Sequence, residues 1–240
     1  TQYAKLIYEQ CDGTIFPSQM MKEKFNHYFA INSIYVPLGV KLDLFHPRQR
    51  DNEIRKKYLN HDNGILLIYA GRLDHEKRAR ILIEAFHRLP VSMNFSLVLV
   101  GDGPLKSELY QQSLNNNRLF VLPYQSNQAD LASLLASADI YVTAGPHETF
   151  ALSVLEAQAC ALPVVGVRAG ALIERVPEAV GSLAEVDSPA DIAGKIVEIS
   201  QNGYKAKGMN ARSWVESTYS WDTVFNNIFT FYESVLTSMN

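Results

Sequence analysis

Cysteine is scarce: the 240 residues hold two, Cys11 and Cys160, far apart and without the Cys/His spacing of a metal-ligand set. That excludes a disulfide-stapled scaffold and a zinc finger, and fits a reducing, cytosolic setting. Long apolar runs are missing too, so no bilayer-spanning helix and no cleavable leader are expected, with peripheral attachment at the inner membrane face left as an open alternative. An excess of either charge is also lacking. Lys and Arg number 22 against 25 Asp and Glu, for a net charge of -3, and the signs are interspersed. A broad nucleic-acid surface is thereby excluded, and any anion must be held by a few local cations. There is no internal repeat, no low-complexity tract and no initiator Met, and the chain starts in mid-pattern as a fragment would.

What is present is alternation. Short apolar segments at Ile65–Ala70, Phe95–Val100, Leu119–Leu122, Ile140–Thr143, Val164–Val167 and Gly181–Ala184 alternate with helical patterns at Ala79–Leu89, Leu105–Leu114, Ala129–Ser137, Ala151–Ala161 and after Gly170. Runs such as Leu66-Leu-Ile-Tyr69 and Leu97-Val-Leu-Val100 are continuous rather than alternating in polarity, as in strands buried on both faces. The expected fold class is α/β, a doubly wound parallel sheet.

The ends read differently. Residues 1–36 carry a helix, a strand near Gly13–Phe16, a helix from Ser18 to Phe29 and a strand at Ile34–Val36. A turn-rich connector, Pro37-Leu-Gly-Val-Lys-Leu-Asp-Leu-Phe-His-Pro47, leads into a charged helix over Asp51–Leu59. Residues 37–218 make the main domain. Residues 219–240 form a helix with Trp221, Val224, Phe225, Ile228, Phe229, Tyr232, Val235 and Leu236 on a wide apolar stripe. Docking on the rest of the protein is the expectation for that stripe, since the helix lacks the Lys and Arg of a membrane-surface helix.

Glu148 and Glu156 flank seven residues in His147-Glu-Thr-Phe-Ala-Leu-Ser-Val-Leu-Glu156. Glu148 falls in a strand-to-helix loop and Glu156 one to two turns inside the helix. In open α/β sheets that loop faces the crevice beyond the carboxyl ends of the strands, where ligands bind. A carboxylate accepts two hydrogen bonds from a vicinal diol, so the pair suits a ligand with two sugar rings, such as a nucleotide sugar. The helix start offers unpaired N–H groups to a phosphate. In Ala70-Gly-Arg-Leu-Asp-His-Glu-Lys77, Gly71 allows close backbone approach, and Arg72 and Lys77 suit a diphosphate. The alternative is that both cations pair locally with Asp74 and Glu76. Val100-Gly-Asp-Gly-Pro104, with Gly101, is either a tight turn or a ligand contact. It is not a dinucleotide fingerprint, because the third glycine is missing. His147 either shapes its loop or touches the sugar, and Cys160 reads as helix packing.

Taken in order, Gly71-Arg-Leu with Glu76-Lys77, then Val100-Gly-Asp-Gly-Pro104, then Glu148/Glu156 running into Ala-Gln-Ala-Cys-Ala-Leu-Pro163, resemble the C-terminal half of glycosyltransferase family 4. The match extends from about Pro37 to the C terminus. The resemblance implies a retaining, nucleotide-sugar-dependent hexosyltransferase of GT-B fold, with two facing Rossmann-like domains and no metal or other cofactor. It implies that Arg72 and Lys77 bind the donor diphosphate and stabilise the leaving group, that Glu148 contacts the donor sugar, and that Glu156 holds the ribose hydroxyls. Backbone amides of Phe150, Ala151 and Leu152 would contact sugar and phosphate, and the backbone of Val121 and Leu122 the nucleobase. Glu148, Arg72 and Lys77 are thus the implied catalytic residues.

Two departures stand out. The family's Glu-Gly-Phe-Gly loop reads Glu148-Thr-Phe-Ala151, placing Cβ atoms where glycine is usual. Residues 1–36 match only the last elements of the N-terminal acceptor domain, so that domain is expected to be missing. The implied partners are a UDP- or GDP-sugar, a glycan or lipid-linked acceptor and the missing domain. A nucleotide-sugar-binding fragment without turnover and a GT-B epimerase are the alternatives.

Overall fold

A computed structural model describes residues 6–8, 10–59 and 63–238. The helix expected at the chain start falls mostly outside these, with 6–8 helical. Strand β1 (Thr14–Phe16), helix α1 (Gln19–Tyr28) and β2 (Ser33–Tyr35) follow, with β1 and β2 forming a two-stranded parallel sheet. Ser18 caps α1 by accepting from the Met21 N–H at 3.2 Å, which satisfies one donor left free at a helix start. The connector then makes a parallel bridge from Val40 to Ser220 and reaches α2 (Asn52–Tyr58), capped by the Asp51 carboxylate.

The main sheet is laid down as β3 (Ile65–Ala70), α3 (Ala79–His87), β4 (Phe95–Val100), α4 (Lys106–Ser113), β5 (Leu119–Leu122), α5 (Gln128–Ser137), β6 (Ile140–Val142), α6 (Leu152–Ala159), β7 (Val164–Val167), α7 (Leu172–Arg175) and β8 (Gly181–Ala184). Helices α8 (Pro189–Gln201), α9 (Tyr204–Thr218) and α10 (Trp221–Ser238) complete the chain. All pairings are parallel in the order β5-β4-β3-β6-β7-β8. The chain thus winds one way from β3 to β5, returns beside β3, and winds the other way from β6 to β8. This is the doubly wound sheet that the apolar runs predict, with its switch point between β3 and β6. Leu66, Leu67, Ile68 and Tyr69 of β3 and all of β4 are buried, because helices cover both faces.

The helices differ from expectation at their ends. The helix expected from Ala151 starts at Leu152, because Ala151 adopts a left-handed conformation with φ 54° and ψ 46°. The stripe on α10 splits. Val224 is buried, and Phe231, outside the expected stripe, is buried against Gly13. Phe225, Phe229, Tyr232 and Leu236 are exposed, while Trp221 packs over Gly39 with one side open. Trp221, Phe225 and Phe229 stack along the helix, with centroids 5.3 and 6.2 Å apart. A helix can bury only the arc that meets its support, and that arc is centred on Val224 and Phe231. Among the described residues no helix is long and apolar enough to cross a membrane.

Candidate functional site

The loops after β3 and β6 leave neighbouring strands at the switch point and meet beyond their carboxyl ends. After β3, Gly71 and Gly101 approach so closely that a Cβ on Gly101 would lie 1.9 Å from the Gly71 carbonyl oxygen. That approach accounts for a glycine at position 101. Asp74, buried in the loop, accepts from the Lys77 N–H at 2.8 Å and fixes the turn that aims Lys77. Lys77 Nζ reaches across to Glu148 Oε1 at 2.8 Å. Both side chains are more than four-fifths buried, which strengthens the pair relative to a surface one.

Arg72 follows the local-pairing alternative. It bonds Asp74 at 3.0 Å and Glu76 at 2.8 Å with 61% of its side chain exposed, and these carboxylates raise its already high pKa. Lys77 departs from that alternative, since its side-chain partner is Glu148.

Glu148 is held from below. Its carbonyl oxygen accepts from the Ala171 N–H at 2.8 Å, and Gly170, at φ 55°, lies so close that a Cβ there would sit 2.8 Å from the same oxygen. Gly145 leaves room for Lys77, whose Cδ would be 3.2 Å from an added Cβ. Of the neighbouring loop residues, His147 is exposed, Phe150 half-buried and Leu152 exposed on the first turn of α6. Ala151 takes the left-handed conformation that glycine favours, at a cost of roughly 1 kcal/mol for a residue with a Cβ. The glycine-to-alanine departure thus falls on a backbone position where it matters.

Glu156 occupies a different setting. It lines a cavity of about 380 Å³ with Gly71, Arg72, Asp102, Gln128 and Ser153. Burial pushes its carboxyl up to about 7, against a smaller opposing pull from Lys41. The Tyr141 hydroxyl donates to the Ala70 carbonyl at 2.9 Å and bonds Ser153 Oγ at 3.0 Å. Burial raises its pKa, and both Glu148 and Glu156 add to the rise.

The structure therefore gathers Gly71, Arg72 and Glu156 around one cavity and pairs Lys77 with Glu148 in the loops after β3 and β6 at the same end of the sheet. Val121 and Leu122 line a second cavity of about 630 Å³ outside the edge strand β5, with Tyr58, Tyr110 and Asn116, while the Leu122 carbonyl accepts from the Gly101 N–H at 3.1 Å at the crevice end of the sheet. The cavity beside Glu156 is bounded instead by the next residues, Tyr124 and Gln125. Sequence reading missed these two, Gln128, and Lys41, which bonds Gln128 at 2.9 Å. A signal existed for Tyr124 and Gln125, because they begin a loop at the carboxyl end of a strand. None existed for Lys41, whose neighbour is distant in sequence.

The arrangement supplies cations and two acids of unlike character beside the start of α6, at the carboxyl ends of β3 and β6. Among the described residues no group of three or more His, Cys, Asp or Glu could hold a metal ion.

The model of the family described as glycosyl transferases group 1 matches residues 50–215. A GDP-mannose-dependent alpha-(1-6)-phosphatidylinositol dimannoside mannosyltransferase of Mycobacterium tuberculosis is 34% identical over 211 residues, covering 88% of this chain and 54% of that protein. A GDP-mannose-dependent alpha-mannosyltransferase of Corynebacterium glutamicum is 30% identical over 182 residues, covering 76% of this chain and 42% of that protein. The chain spans about half the length of these curated relatives. Among solved structures, sucrose-phosphate synthase of Thermosynechococcus elongatus superposes with a TM-score of 0.84 at 23% identity, covering 99% of this chain and 61% of that one. Anabaena HepE in complex with UDP and glucose superposes at 0.82 with 22% identity, covering 97% and 66%. These two likenesses establish the shared fold.

Proposed function

The chain belongs to the glycosyl transferases group 1 family, and from that premise we propose that it is the donor-binding half of a retaining GT-B hexosyltransferase. The donor is a nucleotide sugar. GDP-mannose is the first choice, supported by the names of relatives 34% and 30% identical to this chain. The acceptor is a glycan or lipid-linked sugar bound outside residues 37–218.

The observation that carries the reading is the Lys77–Glu148 pair, 2.8 Å long, at the sheet's switch point. A diphosphate entering the crevice offers Lys77 two negative charges in place of one. Lys77 changes partner, and Glu148 is released to accept hydrogen bonds from hydroxyls of the donor sugar. Glu156, in the neighbouring cavity, accepts from the ribose diol. As the bond from the sugar to the diphosphate breaks, negative charge accumulates on the departing phosphate oxygens. Lys77, Arg72 and the amides at the start of α6 are the groups assigned to stabilise it. Cationic stabilisation is thus assigned to side chains, with no metal in the proposal. For Arg72 to contribute, it must leave Asp74 and Glu76, an exchange made cheap by its exposure.

Calorimetric titration with GDP, UDP, ADP, GDP-mannose and UDP-glucose tests the reading. Selective binding of one base, with its sugar conjugate bound at least as tightly, is expected. Binding of none of the five would contradict it.

A further inference from the structure

The Glu148 loop is braced by a helix of one turn, and that helix is fastened to both sheets of the molecule. At its start, the Ala171 N–H holds the Glu148 carbonyl at 2.8 Å. At its end, the Arg175 carbonyl accepts from Gln158 Nε2 at 2.7 Å, and Gln158 lies on α6, the helix that carries Glu156. Helix α7 is therefore anchored to the segments bearing both acids of the site.

Its two charged side chains turn the other way. Arg175 is fully buried. Its Nη1 donates to the hydroxyls of Tyr35, on β2, and Tyr219, each at 3.0 Å. Its guanidinium also lies over the Tyr219 ring, 4.8 Å from the centroid. Glu174 accepts from the free N–H groups at the start of α1, Met20 at 3.1 Å and Gln19 at 3.4 Å, and stands 3.5 Å from Arg175. An acid at a helix start is favoured by the dipole.

A buried guanidinium is costly, and this one is incompletely satisfied, because Arg175 Nε and Gln158 Oε1 lack hydrogen-bond partners among the described residues. An apolar residue would seal the same contact at lower cost. What the ionic cluster adds is direction: it fixes how β1, α1 and β2 sit on α7.

We propose that Glu174 and Arg175 are positioning residues for the Glu148 loop, transmitting the seating of the β1–α1–β2 unit to the place where the donor sugar binds. The inference deepens the proposed function in assigning a sugar consequence, while its mechanical part stands independently. If the unit shifts, α7 follows, the Ala171–Glu148 bond weakens, and Glu148 loses its register with Lys77.

Two measurements on the full chain test this. The first needs no ligand: amide hydrogen exchange in Tyr35→Phe and Glu174→Gln, with Ser33→Ala as a control. Ser33→Ala removes the 2.9 Å bond to Asn26 within the same unit but leaves α7 untouched. Exchange at Ala171 and across 146–151 should rise at least threefold in Tyr35→Phe and Glu174→Gln, and stay unchanged in Ser33→Ala. β3 and β4 should remain unchanged in all three. Faster exchange confined to residues 14–35, or an equal effect from Ser33→Ala, overturns the proposal.

The second measurement is the ratio of GDP-mannose to GDP affinity. It should fall at least threefold in Tyr35→Phe with GDP affinity constant, and Glu148→Ala is run beside it. A ratio altered by Glu148→Ala but not by Tyr35→Phe overturns the coupling. A ratio altered by neither, with the exchange result as expected, upholds the mechanical link and overturns the sugar role of Glu148.

Discussion

Glu148 lies 2.8 Å from a lysine ammonium, whereas Glu156, just over one turn into the next helix, is in no ion pair among the described residues and is pushed up to about 7 by burial. The two acids come from one loop-helix segment, so their difference arises from what the fold brings opposite them. The β3 loop delivers Lys77 to Glu148, while Glu156 receives cavity walls and the more distant charge of Lys41. Glu148 is thus occupied until a stronger anion takes its lysine. Glu156 has no side-chain ion pair or hydrogen bond among the described residues and, with its carboxyl pushed up to about 7, is about half ionised near neutrality, so a ligand's hydroxyls would supply the partners it lacks.

The largest effect expected from this contrast is on stability. The Glu156 carboxyl is raised in the fold from 4.5 to about 7, so the folded state holds a proton that the unfolded state has released. Nothing is lost below about pH 4.5. As pH rises from there through about 7, stability falls by up to about 3 kcal/mol. Glu156→Gln should remove that dependence, raising Tm by several degrees at pH 8 and by nothing at pH 4. Equal Tm differences at both pH values would place Glu156 in an ordinary solvated setting.

The next effect is on binding. Lys77→Ala should weaken GDP binding roughly tenfold or more, about 1.4 kcal/mol, by calorimetry. Glu148→Ala should do the reverse: Lys77 is left free, GDP affinity holds or rises up to about threefold, and the preference for GDP-mannose over GDP is lost. A parallel fall in both affinities in Glu148→Ala would show that the two acids are not distinct in role. The smallest effect is at Ala151. Ala151→Gly should relieve the left-handed strain and stabilise the protein by about 0.5–1 kcal/mol in chemical denaturation, and no gain would mean that the loop relaxes around the methyl group.

Much of this was legible before any coordinates. The five strands at Ile65–Ala70, Phe95–Val100, Leu119–Leu122, Val164–Val167 and Gly181–Ala184 end where their largely apolar runs end, because burial of the central strands on both faces leaves little room for polar side chains, Ser96 of β4 being one that is buried there. The seven-residue gap between the glutamates was legible because a strand, a loop and a helix start impose it. Partnership was harder to read. Nothing in Arg72-Leu-Asp-His-Glu-Lys77 says that the arginine stays with Asp74 and Glu76 while the lysine crosses to Glu148. That choice depends on Asp74 binding the Lys77 amide and turning its side chain inward. Arg175 was invisible for the same reason, since its partners Tyr35 and Tyr219 are far away in sequence. The α10 stripe was seen but its buried arc was not, because periodicity marks an apolar face without telling which part of it meets another element.

The most direct test is a crystal structure of the chain grown with GDP-mannose. Lys77 Nζ should lie on a diphosphate oxygen, detached from Glu148, with Glu148 hydrogen-bonded to the mannose and Glu156 bonded to the ribose diol. A bound donor with the Lys77–Glu148 pair intact, or one seated in the cavity outside β5, would contradict it.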